Sequence, residues 1–383
     1  MIYLDNAATT PLTPSVIDAM TEIMVNDFGN PSSIHGIGRH ANQRLRSYRQ
    51  TIASALKTDP RRIIFTSGAT ESNNTAIKGY ALANQEKGKH IITTSIEHHS
   101  VLNTMEYLEK RFGFEVTYLK PEDGHVSAKQ VADALRDDTI LVSTMFANNE
   151  TGDLLPVKEI GELLSDHQAA FHVDAVQATG KIDVYPEEIK ADFLSASAHK
   201  FHGPKGVGIL YSTPQHFDNL LHGGEQEEKR RASTENMIGI AGMAKALSDA
   251  VTNKDANYKH VQELRQAFLD AISGLDYYIN GSQNKIPHVL NIGFPNQNNG
   301  ILLTRLDLAG IAVSTGSACT AGTVDPSHVL ASLYGEDSPR LAESIRVSLS
   351  ELNTIEEVQE LAKKLRRYCQ GTDCARNRCF GRS

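Results

Sequence analysis

A lysine beside a histidine in a glycine-bounded turn could do carbonyl chemistry. Ser197-Ala198-His199-Lys200-Phe201-His202-Gly203 has that arrangement directly after an apolar run that predicts a strand. A primary amine held in a pocket serves one main purpose, Schiff-base formation with a carbonyl. Alone the signal is weak, because a lysine before a glycine turn is usually a solvated loop residue. A second feature lies upstream. Asp174, in His172-Val173-Asp174-Ala175-Val176-Gln177, follows another apolar run and falls at the carboxyl end of a predicted interior strand. Such an aspartate is often a turn or cap residue. A carboxylate with a reason to be buried is one that meets a cation. The protonated ring nitrogen of pyridoxal phosphate is such a cation, and enzymes that use this cofactor supply an aspartate for the ring and a lysine for the aldehyde.

A phosphate would need a cradle. Phe65-Thr66-Ser67-Gly68-Ala69-Thr70-Glu71 runs from a predicted strand through glycine into a helix, whose first N–H groups form a ready anion site. An ordinary capping box with Ser or Thr at the cap is the plainer reading, and both can hold at once. His98-His99 follows a further apolar run; a histidine there is either a satisfied polar residue or a ring-stacking proton shuttle. Asn148-Asn149-Glu150-Thr151-Gly152 is either a turn or a polar contact to cofactor or substrate.

One cysteine, Cys319, lies in Ser314-Thr315-Gly316-Ser317-Ala318-Cys319-Thr320-Ala321-Gly322, among small, polar residues. Structural cysteines sit among apolar neighbours. A cysteine on such a loop suits a nucleophile. Arg346, in a predicted strand, makes either a surface salt bridge or a bidentate fork for a substrate carboxylate. The polar stretch from Gly223 to Asn236 is long enough to suggest function.

The elements that must position these residues follow from periodicity. Between about residues 40 and 215, short apolar runs at 63–65, 91–92, 140–142, 170–173, 193–194 and 207–210 alternate with amphipathic helical patterns. This predicts an α/β fold with an open, mostly parallel sheet and ligands beyond the carboxyl ends of its strands. Two helices are expected over 236–275. Mixed strands and helices follow to residue 368 as a smaller α+β domain, ending in a helix with Val358, Leu361, Leu365 and Tyr368 on one face. The 383 residues carry a formal charge of −8, with 40% hydrophobic residues and no long apolar run. That excludes a disordered chain, a general nucleic-acid-binding surface and a helical membrane span, and points to a cytoplasmic protein. No cysteine precedes Cys319, so disulfides are not expected to hold the fold. No metal site is expected. Cys369, Cys374 and Cys379 are loosely metal-spaced, but a fourth ligand is missing. They could also relay sulfur, or belong to a disordered tail.

The motifs YLDNAATT, FGNPSSIHGIGR, FTSGATESNN, EHHSV, NNETG, HVDAVQ, SAHKFHGPKG, GGEQE, RASTEN, STGSACTAG and SIRVSLS occur in order over residues 1–368. Together they resemble the cysteine desulfurases of the NifS/IscS type, group I, within the class-V aminotransferases of fold type I. The pattern is similar to the Gram-positive members that serve tRNA thiolation. The resemblance implies a pyridoxal 5′-phosphate enzyme that converts L-cysteine to L-alanine and leaves the sulfur on Cys319 as a persulfide. It implies that Lys200 holds the cofactor aldehyde, that Asp174 meets the ring nitrogen and Gln177 the phenolic oxygen, and that His99 stacks on the ring. Ala69, Thr70, Ser197 and His199 would hold the phosphate, with Thr234 reaching the phosphate of a partner subunit in a homodimer. Asn149 and Arg346 would hold the substrate carboxylate. The sulfur would pass to an acceptor such as a tRNA thiouridylase or an iron–sulfur scaffold, and Cys319 could ligate a cluster in transfer. The family usually has glycine where this chain has Ser233, which puts Thr234 in doubt.

The expected organisation is an N-terminal segment 1–15 associated with the small domain, a large cofactor domain 16–255 with a seven-stranded sheet, a small domain 256–368, and a disordered tail 369–383. The alternative activity is a selenocysteine lyase or another aminotransferase-type reaction on the same fold.

Overall fold

The alternation of apolar and amphipathic segments becomes strands separated by helices. The computed structural model describes residues 1–316 and 326–370. In chain order its strands are β1 (Ile2–Tyr3), β2 (Ile63–Thr66), β3 (His90–Thr94), β4 (Glu115–Leu119), β5 (Thr139–Met145), β6 (Ala170–Asp174), β7 (Phe193–Ser197), β8 (Gly208–Ser212), β9 (Tyr278–Ile279), β10 (Val289–Gly293), β11 (Ile311–Ala312) and β12 (Ser344–Ser348). The chain divides into two compact units: Thr10–Asn148 with Leu155–Lys254, and Met1–Thr9 with Asn149–Leu154 and the chain from Asp255 onward.

The larger unit holds a sheet with strand order β2-β8-β7-β6-β5-β3-β4 among the described residues. Only β8 runs antiparallel to its neighbours; the other pairs are parallel. Strands β5 to β8 are buried along their whole length. Burial on both faces explains why they read as continuous apolar or small-residue runs. β4 is missing from the expected strands. It lies at the sheet edge, with Glu115 exposed and its next three residues half-buried. Its apolar residues therefore alternate instead of forming a run.

Polar residues cross the centre of this sheet. His172 on β6 bonds through Nδ1 to Ser143 Oγ on β5 (2.8 Å) and through Nε2 to Ser195 Oγ on β7 (3.0 Å). The ring is fully buried, and burial pushes its pKa down to about 4. Each serine hydroxyl can turn to donate or accept, so the neutral ring is satisfied on both sides.

In the smaller unit, the antiparallel sheet β12-β10-β9 and the parallel pair β1-β11 pack against helices. Leu264, Phe268, Leu290, Ile345, Val347 and Leu361 belong to one buried core. The last described helix, Ile355–Gln370, buries Val358, Leu361, Ala362 and Leu365, a spacing that places one apolar stripe on the core. This helix continues past Tyr368 and takes in Cys369, which packs half-buried against the same core. Burial pushes the Cys369 thiol up to about 11, which makes it a poor nucleophile for a relay. Cys319, Cys374 and Cys379 lie outside the described residues.

Because His172 stays neutral when folded, stability should fall as pH drops from about 6.5, where the unfolded histidine takes a proton, to about 4. Calorimetry of wild type and His172→Gln across this window should show the gap in Tm narrowing toward acid. Parallel curves would mean that His172 titrates normally.

Candidate active site

The lysine turn is built by the end of β7. After Ser197 the chain enters a single 3₁₀ turn, Ala198–Lys200, and the N–H groups of Phe201 and Gly203 both return to the Ala198 carbonyl. A Cβ at Gly203 would lie 2.8 Å from Ala198 Cβ, so the turn can close only on glycine. Thr10 staples it from outside. Its N–H and hydroxyl both donate to the His199 carbonyl (2.9 Å each), and its hydroxyl accepts from His202 N–H (2.7 Å). Burial first, then Lys200, Lys205 and Lys181, pushes His199 down to about 4. Three ammonium groups around one neutral imidazole make a local excess of positive charge that suits an anion.

The cradle lies at the end of β2. Gly68 (φ +148°) caps the helix Ala69–Asn74, and no side chain caps it. The anticipated Ser/Thr capping box is therefore not formed. The Glu71 carboxylate instead accepts from Ser67 N–H (2.8 Å) and takes a fork from Arg231, Nε at 2.8 Å and Nη2 at 3.1 Å. Burial opposes ionisation of Glu71, but these donors outweigh it and leave its pKa below the usual range. A bare carboxylate here would repel a phosphate, and Arg231 neutralises it. A Cβ at Gly208 of β8 would lie 2.7 Å from Gly68 Cα, so the cradle sits tight against the sheet. Ala69 is half-buried, Thr70 exposed, and Ser197 buried.

Asp174 ends β6, the strand beside β7, with Asp174 in register with Ser195. It is 6% exposed. Its Oδ1 accepts from Val176 N–H (3.1 Å) and its Oδ2 from Asn73 Nδ2 (2.8 Å). Gln177 is buried one turn on and accepts from Lys181 Nζ at 2.9 Å. His99 does not end a strand as expected. β3 stops at Thr94, and His99 opens the helix His99–Phe112, with His98 as its cap. Glu97, fully buried beneath this corner, accepts from Thr94 Oγ1 (2.6 Å) and Met145 N–H (2.9 Å), and burial pushes it up to about 8.

The smaller unit holds Arg346 and Asn149. Arg346, on β12, is 2% exposed, so the surface salt bridge weighed above does not occur. Nη2 pairs with Asp5 (2.9 Å), Nη1 donates to the Asn149 carbonyl (3.0 Å), and Nε has no hydrogen-bond partner among the described residues. Ser314 bridges to the Arg346 backbone, so the last described residues before Cys319 leave from beside β12. Both described ends of that segment meet Glu150: Ser327 Oγ donates to its Oε2, and a Cβ on Gly316 would touch the same oxygen. Burial raises the Glu150 pKa. Sequence reasoning missed Thr10, Glu71, Asn73, Glu150 and Arg231 as individual residues. All five lie inside motifs already noted. Among the described residues, no group of three or more His, Cys, Asp or Glu could hold a metal ion.

Residues 2–361 match the family described as aminotransferase class-V, and the chain belongs to that family. Its fold is that of the fold type I enzymes, and their cofactor, pyridoxal 5′-phosphate, is the cofactor of this one. The Bacillus subtilis (strain 168) protein IscS 1 is 49% identical over 94% of this chain and 97% of its own length. The cysteine desulfurase IscS of Methanosarcina thermophila is 44% identical over 95% and 93%. A solved NifS-like protein superposes with a TM-score of 0.90 at 37% identity, covering 96% of this chain and 98% of its own.

The polar stretch before Thr234 is fastened and strained. Arg49 makes a fork with Glu227 at 2.6 and 2.7 Å, and Glu227 also accepts from Phe65 N–H. Glu227, Glu228 and Lys229 have φ of 50°, 56° and 68°, and Ser233 has φ of 99°, a region that favours glycine. Ser233→Gly should therefore stabilise the protein by about 1 kcal/mol, read as a higher Tm in a thermal melt. An unchanged or lower Tm would show that Ser233 carries no strain.

Proposed function

We propose that in this cysteine desulfurase, which takes L-cysteine to L-alanine, the sulfur passes to Cys319. The observation that carries the reading is the pairing of Asp174 and Lys200 at the carboxyl ends of two neighbouring parallel strands. The residues present fit the cofactor. The glycine-capped cradle with Ala69 and Thr70, the Ser197 hydroxyl and the cations around His199 suit its phosphate; the buried, doubly hydrogen-bonded Asp174 suits a protonated pyridine. When bound, pyridoxal phosphate supplies an electron sink at the substrate Cα.

Within this reading Lys200 would hold the cofactor aldehyde, and its amine would take the proton from the substrate Cα. Asp174 would meet the ring nitrogen, Gln177 the phenolic oxygen, and His99 would flank the ring and move protons. Arg346, oriented by Asp5 and assisted by Asn149, takes the substrate carboxylate. The Cys319 thiolate attacks the substrate sulfur. An S–S bond forms, the Cβ–S bond breaks, and its electron pair is protonated on carbon to give alanine. The thiolate is the reactive form.

The same reading extends to a homodimer, in which the exposed Thr234 reaches the phosphate of the partner's cofactor, and to an acceptor protein for the persulfide. A tRNA thiouridylase is the acceptor the Gram-positive resemblance favours, with an iron–sulfur scaffold as the other. No helix of the described residues is long and apolar enough to cross a membrane.

Peptide mass mapping after incubation with L-cysteine and no reductant should find one added sulfur on the Cys319 peptide. Cys319→Ala should keep the bound-cofactor absorbance and lose sulfur transfer, whereas Lys200→Ala should lose that absorbance. An unmodified Cys319 peptide in cofactor-loaded enzyme would argue for a different reaction of the same family.

A further inference from the structure

Asn73 is fully buried, and its amide touches two groups that together determine its orientation. Nδ2 lies 2.8 Å from Asp174 Oδ2 and 2.9 Å from Ser100 Oγ. An ionised carboxylate only accepts, so the amide must turn its NH₂ toward Asp174. Its second N–H then serves Ser100. The Ser100 hydroxyl, whose oxygen accepts that N–H, donates its own hydrogen to His98 Nδ1 at 2.8 Å, and the same nitrogen accepts Ser100 N–H at 3.1 Å. A ring nitrogen that accepts twice carries no proton, which places the His98 proton on Nε2.

This orientation has a cost. Asn73 Oδ1 is buried with no hydrogen-bond partner. A flipped amide would expose the carboxylate to an oxygen, so the amide keeps its donor on Asp174 and leaves its own carbonyl unmet. We infer that Asn73 is a positioning residue for the cofactor's ring: with Val176 N–H it holds the carboxylate form of Asp174 in place, and through Ser100 it sets the tautomer of His98 beside His99. The inference rests on the reading of Asp174 as the partner of the ring nitrogen. The other titratable groups around Asp174 are Glu97 and His172, both buried, with Lys200 on the turn after the neighbouring strand.

Removal of Asn73 leaves the carboxylate one donor short. The carboxylate is then more basic and draws the proton it shares with the ring nitrogen toward itself, so less positive charge faces the Lys200-bound cofactor. That cofactor should keep its own proton to higher pH. In the holoenzyme, Asn73→Ala should move the pH midpoint of the bound-cofactor absorbance upward by about half a unit or more. It should lower kcat by about tenfold with a smaller change in KM. Asn73→Asp, which keeps the volume but sets a second negative charge beside Asp174, should move the midpoint further upward. Ser100→Ala breaks only the arm to His98 and should leave the midpoint where it was. If both Asn73 variants titrate like wild type while Asp174→Asn shifts the midpoint, the inference is overturned and Asp174 keeps its role. If Asp174→Asn also leaves it unmoved, the reading of Asp174 falls and takes the inference with it. A Ser100→Ala shift as large as that of Asn73→Ala would overturn it too, by showing a general loosening of the corner.

Discussion

A carboxylate at the end of a central strand, with almost no water around it, governs the larger unit. Burying a charge without partners costs several kcal/mol, so every neighbour must answer it. Asp174 is answered by a backbone N–H two residues on and by an amide from a helix on a different connection. The helix that brings Asn73 starts at Gly68, the same glycine that caps the phosphate cradle. One short helix thus serves both ends of the proposed site: its first turn would face the phosphate, and its second turn holds the carboxylate. The tight contact of Gly208 with Gly68 sets where that helix begins, and so fixes both distances at once.

Charge balance orders the rest of the site. The lysines near His199 favour an anion, and Glu71 would spoil that field without Arg231. In the smaller unit, the guanidinium of Arg346 is itself buried and is held by Asp5, with a carbonyl on its second nitrogen. Removing Asp5 would leave a charge stranded, which is worse than losing both partners. Glu150 has the opposite character. Burial raises its pKa, and it serves as a fixed point for both described ends of the segment that carries Cys319.

Much of this was readable along the chain, because the signals are local. Lys200 and Asp174 announce themselves by following apolar runs, and the buried strands show as short uninterrupted blocks. The edge strand β4 escapes because half its surface meets water and its pattern alternates. The orienting residues escape for a different reason. Asn73 meets Asp174 across 101 positions, Arg231 meets Glu71 across 160, and Thr10 reaches the lysine turn across 189. Nothing in the residues between them encodes such a meeting; the fold alone brings them together. The Ser/Thr capping box failed for a local reason: the cap position falls on Gly68, which has no side chain, although Glu71 still accepts from Ser67 N–H.

Ser233 marks where local rules and the fold's demands disagree openly. A serine in a backbone region suited to glycine persists only if the surroundings over-determine it. They do so here: the Arg49–Glu227 fork anchors one end of the stretch, and the Arg231–Glu71 fork holds it two residues before the serine. Three consecutive left-handed residues, 227 to 229, begin at the first of those anchors. The forks that hold the strain end on Phe65 N–H and on the first turn of the phosphate cradle. Strain in the segment that carries Thr234 is therefore held by the same framework that shapes the cradle, and relief at Ser233 would loosen neither fork.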